Sequence, residues 1–367
     1  MSAPLRVVAP SYELVLPALR SALNGGPPLL VSDDARAIEA ARPSAAVTSG
    51  IAVLVATSGS TGRPKLVELS LAALTASGRG TEQVLGGPAQ WLLALPLHYI
   101  AGLQVVARSI LADTEPGTLP PGPFTAQAFV EASGRLDGDR RYVSIVPTQL
   151  RRLLAHDAGR SALQSFDAVL VGGAATPPAL QLAARSNDVR IVTTYGMTET
   201  AGGCVYGGHP LPGVTVGLDE AGTVLLGGAT VARGYRGDPD ATTAAFVDGA
   251  FHTEDLGEIA ADGSLTVLGR ADEMIISGGV NVHPLAVEAV LAQQAGVIDC
   301  AVAGIVDDEW GQVVIAWVVG DAPDDTLRTA VRGELGAAAV PKEIRRIESL
   351  PLLPSGKPDR RVLSCLH

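Results

Sequence analysis

The sequence predicts an α/β protein: a large N-terminal domain of layered, largely parallel sheets that includes a β-rich subdomain, then a small α+β C-terminal domain. Three observations predict it. From Ile51 to about Thr194, short apolar runs alternate with helix-like segments, the pattern of βαβ units in a sheet covered on both faces. From Gly207 to Gly269 the chain turns to short β-like runs broken by Gly, Asp and Pro. Beyond Arg270 helical periodicity returns around two longer apolar runs. These changes of texture set the expected domains at residues 1–271 and 272–367, with the β-rich subdomain at about 207–269.

Taken in order, Ile51–Ala56 reads as a strand entering a Ser/Gly turn, Thr57–Lys65, with Leu66–Leu69 a further β-like run beyond it. Trp91–Leu95 is a strand before a helix around Leu103–Leu111. Tyr142–Val146 leads through Pro147, a favourable first helical position, into a helix over Thr148–Ala155. Asp167–Val171 passes through Gly172-Gly173 and Pro177-Pro178 to a helix over Ala179–Arg185, and Arg190–Thr194 closes the series. The β-rich runs are Thr223–Leu226, Phe251–Thr253, Gly257–Ala260 and Leu265–Leu268. In the last part, Pro284–Gln294 is a helix with Leu285, Val287, Val290 and Leu291 on one face, and Cys300–Val306 and Val313–Val319 are strands. Leu327, Val331 and Leu335 recur at i+4 on a second helix, and Glu343–Ile347 is a final strand.

Composition narrows the function. With 47% hydrophobic and 18% charged residues in 367, the chain builds a core and is not disordered. A net charge of −11 argues against nucleic acid or an anionic membrane as the main partner. Cys204, Cys300 and Cys365 are far apart and lack CxxC spacing, which suggests neither a disulfide framework nor a zinc site and fits a reducing compartment. The start, MSAPLRVVAP, lacks the apolar core of a signal peptide, and no apolar run is long enough to span a bilayer. A cytoplasmic protein is expected; the sequence leaves homo-oligomerisation open.

The chemistry concentrates at strand ends, where ligands of such sheets sit. TSGSTGRPK, Thr57–Lys65, offers hydroxyls, bare N–H groups and a terminal ammonium, an anion-binding concavity. It is not a Walker loop, because Lys65 is preceded by Pro64 and followed by Leu66. A flexible Ser/Gly linker is the competing reading, disfavoured by the apolar runs on both sides. In YGMTET, Tyr195 can stack on a base and Glu199 can hold a magnesium ion that bridges phosphates. Equally, Thr198 can cap a helix whose dipole Glu199 complements. Asp255 in HTEDLGEI either accepts ribose hydroxyls or bonds its own turn. Arg270, in GRADEMIISGGVNVHP, either completes that grip or belongs to a linker, and Lys357, in PSGKPDRR, is by itself an ordinary solvated lysine. His98 in LPLHYIAG, alone, reads as a core histidine.

Together these motifs change the reading. TSGSTGRPK, PLHYIAG, GGAATP, YGMTET, GYRGDPDAT with HTEDLGEI, GRADEMIISGGVNVHP and PSGK run in order from residue 57 to 358, and the sequence resembles the adenylate-forming superfamily of acyl- and aryl-CoA synthetases, luciferases and peptide-synthetase adenylation domains. Only about fifty residues precede the phosphate loop, which with SIVPTQLRRLL resembles the short o-succinylbenzoate–CoA ligases of menaquinone biosynthesis. The resemblance implies ATP, Mg2+ and coenzyme A, and two half-reactions: a carboxylate attacks the α-phosphorus of ATP to give an acyl-adenylate and pyrophosphate, then the thiol of CoA displaces AMP.

The resemblance also implies the roles. Thr57, Ser58, Gly59, Ser60, Thr61, Gly62 and Lys65 hold the β- and γ-phosphates; Glu199 holds magnesium; Thr198 bonds the α-phosphate. Gly172, Gly173 and Ala174, with Tyr195, Gly196 and Met197, line the nucleotide, and Asp255 and Arg270 take the ribose. Lys357 bridges the carboxylate and α-phosphate, and the mobile small domain turns about Asp272 to bring Gly278 and Gly279 to the pantetheine channel. His98 gates that channel or stabilises the adenylate. Arg152, with Gln149 nearby, is the candidate partner for the second carboxylate of o-succinylbenzoate, which would be costly to bury unpaired; a wet helix face is the alternative for Arg152. Another small aryl- or acyl-CoA ligase, an adenylation module loading a carrier protein, and a non-catalytic nucleotide-binding protein are the competing functions, the last opposed by Lys357.

Overall fold

A computed structural model describes residues 4–57, 64–352 and 358–365. Ser58, Gly59, Ser60, Thr61, Gly62 and Lys357 lie outside the described residues. The chain packs as two units. One takes the described residues to Gly172 with Asn187–Gly217 and Leu225–Thr253; the other takes Gly173–Ser186, Leu218–Val224 and the described residues from Glu254 on.

The first unit holds two sheets. In the smaller, the strands run Arg6–Val8, Leu29–Val31, Ile51–Thr57, Lys65–Ser70 and Gly234–Tyr235. The first three are parallel, whereas Ile51–Thr57 pairs antiparallel with Lys65–Ser70. The run of βαβ units expected from Ile51 therefore begins with a hairpin, because the Ser/Gly stretch is too short to carry a crossover helix. Leu30, Leu54, Leu66 and Ala41 pack beneath this sheet.

The larger sheet is the expected parallel one. Its parallel strands Gly117–Thr118, Gln90–Leu93, Arg141–Ile145, Ala168–Val171 and Ile191–Met197 are flanked by Gly202–Tyr206 and His209–Pro210, which run antiparallel. Ala168–Val171 is buried along its whole length, as a parallel strand covered on both faces must be. Helix Ile100–Leu111 starts before the expected Leu103, and Gly102 lets it do so: a Cβ there would lie 2.2 Å from the Pro96 carbonyl oxygen. That close approach fixes the loop that carries His98.

In the β-rich part the two expected runs Phe251–Thr253 and Gly257–Ala260 are one strand, Ala250–Ile259. Asp255 pairs with Arg270 on the antiparallel strand Leu265–Arg270, and a register shift between Leu256 and Gly257 adjusts the ladder without ending it.

The second unit contains the sheet order Val280–Val282, Ile275–Ser277, Gly311–Gly320, Val297–Asp307, with Glu343–Arg346 parallel to Gly311–Gly320. On one face Val287, Leu291, Leu327 and Val331 from helices Pro284–Leu291 and Asp324–Leu335 close a core. On the other, Leu363 of helix Arg360–Cys365 packs with Trp317 and Leu350.

Candidate active site

Thr57 and Lys65 pair across the two strands that the phosphate-loop segment joins, and the Thr57 hydroxyl lies 3.4 Å from the Lys65 carbonyl oxygen that it donates to. Both ends of the segment are thereby pinned to one rung of the ladder. Beside that rung runs the short strand Gly234–Tyr235, Tyr235 opposite Val67. The Tyr235 ring lies under the Lys65 ammonium, 5.0 Å from its centroid, and its hydroxyl donates to Glu199 Oε1 at 3.0 Å. The Ala232 N–H bonds the Glu199 carbonyl at 2.8 Å. Two residues of opposite charge, 134 positions apart in sequence, are thus gathered by a third, the 8% exposed tyrosine of GYRGDPDAT, whose position in the sequence by itself points to no role.

Glu199 sits in the short 3-10 turn Thr198–Thr200 that follows strand Ile191–Met197. The cap there is not Thr198: the Met197 N–H donates to the Thr200 hydroxyl at 3.0 Å, and Thr200 donates to the Gly202 carbonyl. That leaves the Thr198 side chain out of the capping bonds. Gly196 permits the chain to double back, since a Cβ would fall 2.3 Å from the Gly202 carbonyl oxygen. At the neighbouring strand end a Cβ on Gly172 would fall 2.2 Å from Thr194 Oγ1, so strand ends and backbone lie thin around half-buried Tyr195. Gly173 then turns with φ +80, and half-buried Ala174 follows.

Among the described residues no three His, Cys, Asp or Glu side chains converge to hold a metal. A cage of protein ligands alone has no basis in that set. Magnesium, which keeps its waters and takes one or two carboxylates plus substrate phosphates, fits the single hard oxygen donor of Glu199 beside the Lys65 cation.

His98 is half-buried, its ring 4.2 Å from that of Tyr99. Burial pushes its pKa below the ordinary value, against the weaker upward pull of Asp33. The Gln149 amide is taken up by backbone: its Oε1 accepts from the Val146 N–H at 3.0 Å and its Nε2 donates to the Ala94 carbonyl at 3.0 Å. Gln149 caps its own helix, Pro147–Leu154, while Arg152 stands exposed on it.

In the second unit Asp255 and Arg270 are register partners on antiparallel strands. Arg270 is gripped from two sides: Nε bonds Asp272 Oδ1 at 2.7 Å, NH2 bonds Asp272 Oδ2 at 3.0 Å, and NH2 also pairs closely with Glu254. The guanidinium holds the Asp272 carboxyl below the usual range. Gly278 and Gly279 form the turn of the hairpin Ile275–Ser277 to Val280–Val282, with φ +58 and +81. A Cβ on Gly278 would meet the Trp310 ring at 2.7 Å, whereas Gly279 faces open space. At the tail, Leu352 bridges Pro358 and the Asp359 N–H bonds the Pro351 carbonyl at 2.8 Å. Arg360 then clasps Glu288 at 2.7 Å, Glu273 at 3.3 Å and the Val302 carbonyl at 3.0 Å, so the chain on the far side of Lys357 is firmly tied down.

Comparison with known proteins gives this arrangement its context. Residues 20–236 match the family model described as AMP-binding enzyme, and residues 286–357 match that of the AMP-binding enzyme C-terminal domain. A probable 2-succinylbenzoate–CoA ligase of Mycobacterium tuberculosis is 44% identical over 361 residues, 95% of this chain and 94% of that protein. An amide bond synthetase of Marinactinospora thermotolerans superposes with a TM-score of 0.79 at 28% identity, covering 100% of this chain and 80% of that one. The o-succinylbenzoate coenzyme A synthetase of Bacillus subtilis, in complex with ATP and magnesium ion, superposes with a TM-score of 0.72 at 27% identity over 85% of this chain and 69% of that one.

Proposed function

This chain belongs to the AMP-binding enzyme family, and from that premise we propose that it is an AMP-forming acid–CoA ligase, acting on o-succinylbenzoate in menaquinone biosynthesis in the cytoplasm. The observation that carries the substrate is the 44% identity to a probable 2-succinylbenzoate–CoA ligase along nearly the whole of both chains. The Lys65–Tyr235–Glu199 group supports the nucleotide chemistry.

In the adenylation step the acid's carboxylate oxygen attacks the α-phosphorus of ATP, and pyrophosphate leaves. The protein's work is positioning and charge neutralisation. The segment pinned at Thr57 and Lys65, Ser58 to Gly62, holds the β- and γ-phosphates with the Lys65 ammonium. Glu199 would hold magnesium, which when bound draws charge from the phosphate oxygens. Thr198, free of capping duty, donates to the α-phosphate. Gly172, Gly173, Ala174, Tyr195, Gly196 and Met197 line the base, and Asp255 and Arg270 take the ribose. Lys357 spans the carboxylate and α-phosphate, where negative charge crowds. In the thioester step the CoA sulfur attacks the acyl carbon and AMP leaves; Asp272 is the pivot and Gly278-Gly279 the channel wall. His98, uncharged at neutral pH, packs at the acyl end. Arg152 is exposed and Gln149 is occupied, so Arg152→Ala tests whether the second carboxylate is met there at all.

The deciding experiment offers the purified protein a panel of acids with ATP and follows labelled pyrophosphate exchange, then thioester formation on adding CoA. Exchange that is strongest with o-succinylbenzoate, and a CoA thioester as product, are expected. Lys357→Ala should abolish exchange while sparing thioester formation from supplied adenylate, a loss of at least about a hundredfold on the scale of a lost oxyanion donor. No exchange with any acid overturns the reading, and transfer only to a carrier protein or an amine replaces CoA as acceptor.

A further inference from the structure

Tyr235 presents two different surfaces to the candidate phosphate site. Its π face takes the Lys65 ammonium, and its hydroxyl takes Glu199 Oε1. The tyrosine itself is held hard: its N–H donates to Thr242 Oγ1 at 2.9 Å, and its ring packs edge-on against Phe246 at 5.4 Å, with Phe246 in turn 5.1 Å from Phe251. The strand that carries it pairs with the strand that begins at Lys65. A carboxylate on a short 3-10 turn has rotational freedom of its own, and one fixed O–H donor removes much of it. With Oε1 fixed by the hydroxyl, the plane of the carboxylate is set, and an ionised carboxylate offers more acceptor positions than one O–H donor uses. One side chain thus offers the two ions different partners: the lysine a π face, the glutamate a proton.

We infer that Tyr235 is a positioning residue for the nucleotide–metal complex, setting the Glu199 carboxylate for a divalent cation and the Lys65 ammonium for a phosphate through one side chain. This rests on the reading of Glu199 as the magnesium ligand, given above.

The test compares the full-length protein with Tyr235→Phe, Tyr235→Leu and Glu199→Gln. Binding of Mn2+ in the presence of a non-hydrolysable ATP analogue is followed by electron paramagnetic resonance, and analogue binding without metal by calorimetry. Tyr235→Phe keeps the ring and loses only the donor, so metal binding should weaken about tenfold, the scale of one hydrogen bond to a charged group, while metal-free analogue binding holds. Tyr235→Leu should weaken both. Circular dichroism and the thermal midpoint of Tyr235→Phe should match the parent, which separates positioning from folding. If Glu199→Gln weakens Mn2+ binding and Tyr235→Phe does not, the inference about Tyr235 is overturned and the metal reading stands. If Glu199→Gln also leaves Mn2+ binding unchanged, the metal reading itself has failed and the inference with it.

Discussion

At the scale of single residues, environment rather than identity decides what a side chain can do. His98 is the case in point, because burial lowers its pKa and the imidazole is uncharged at neutral pH. A neutral ring can pack against an acyl group or accept a proton, but it does not supply a standing positive charge to an adenylate. Acidification below the ordinary histidine value, about 6.5, should protonate it and slow the reaction. His98→Asn should remove that acid limb from the pH profile of pyrophosphate exchange; a limb that persists unchanged would assign it to another group. Gly278 makes a second test. A methyl there would strike the Trp310 ring and be forced to φ +58, so Gly278→Ala should cost about 1–3 kcal/mol by chemical denaturation, with a changed Trp310 emission. Gly279→Ala meets no neighbour and should cost only its left-handed backbone, about 1–2 kcal/mol.

At the scale of elements, the clasp of the last helix onto the small unit combines burial with charge. The Glu288 carboxylate is 14% exposed and accepts from the Val302 N–H and from Arg360. Burial still lifts its pKa to about 7 against the opposing pull of Arg360. Between the unfolded value near 4.5 and 7 the folded unit therefore holds a proton that the unfolded chain has released, so stability falls as pH rises through that window and levels off above it. Glu288→Gln should flatten that slope in denaturation curves taken from pH 4.5 to 8. At pH 8, above that window, Arg360→Met leaves the buried acid without its cation and should cost on the order of 3 kcal/mol, a cost that shrinks as the acid protonates at lower pH. The elements themselves were readable wherever one face is apolar: Leu327 and Val331 mark helix Asp324–Leu335, and Cys300–Val306 falls inside strand Val297–Asp307. Boundaries set by a turn or a register shift were not. Nothing local in Phe251–Ala260 says that Asp255 continues a strand, since the partner that keeps it in register is Arg270 of Leu265–Arg270. Likewise the motif around Glu199 was legible, but its tyrosine was not, because Tyr235 reaches it only through pairing with Lys65–Ser70. Gln149 looked available to a substrate because sequence shows its amide and not the two backbone groups that occupy it.

At the scale of the whole molecule, residues 20–236 match the AMP-binding enzyme family and residues 286–357 its C-terminal domain. The half-reaction split expected of Lys357→Ala belongs here, since it asks whether one residue near the end of the chain serves a nucleotide bound by residues near its beginning. The smaller sheet of the first unit raises a parallel question of timing. One of its two edge strands is Gly234–Tyr235, about 165 residues after the strand it pairs with, and Arg236 meets the Glu68 carboxylate at 3.5 Å with 8% and 11% of their side chains exposed. During synthesis, a nascent chain that has not yet emerged past Arg236 carries an open sheet edge and an acid waiting for its cation. Premature termination anywhere between about residues 70 and 230 should therefore yield fragments that self-associate, and ribosome pausing in that interval would prolong the exposure of that edge.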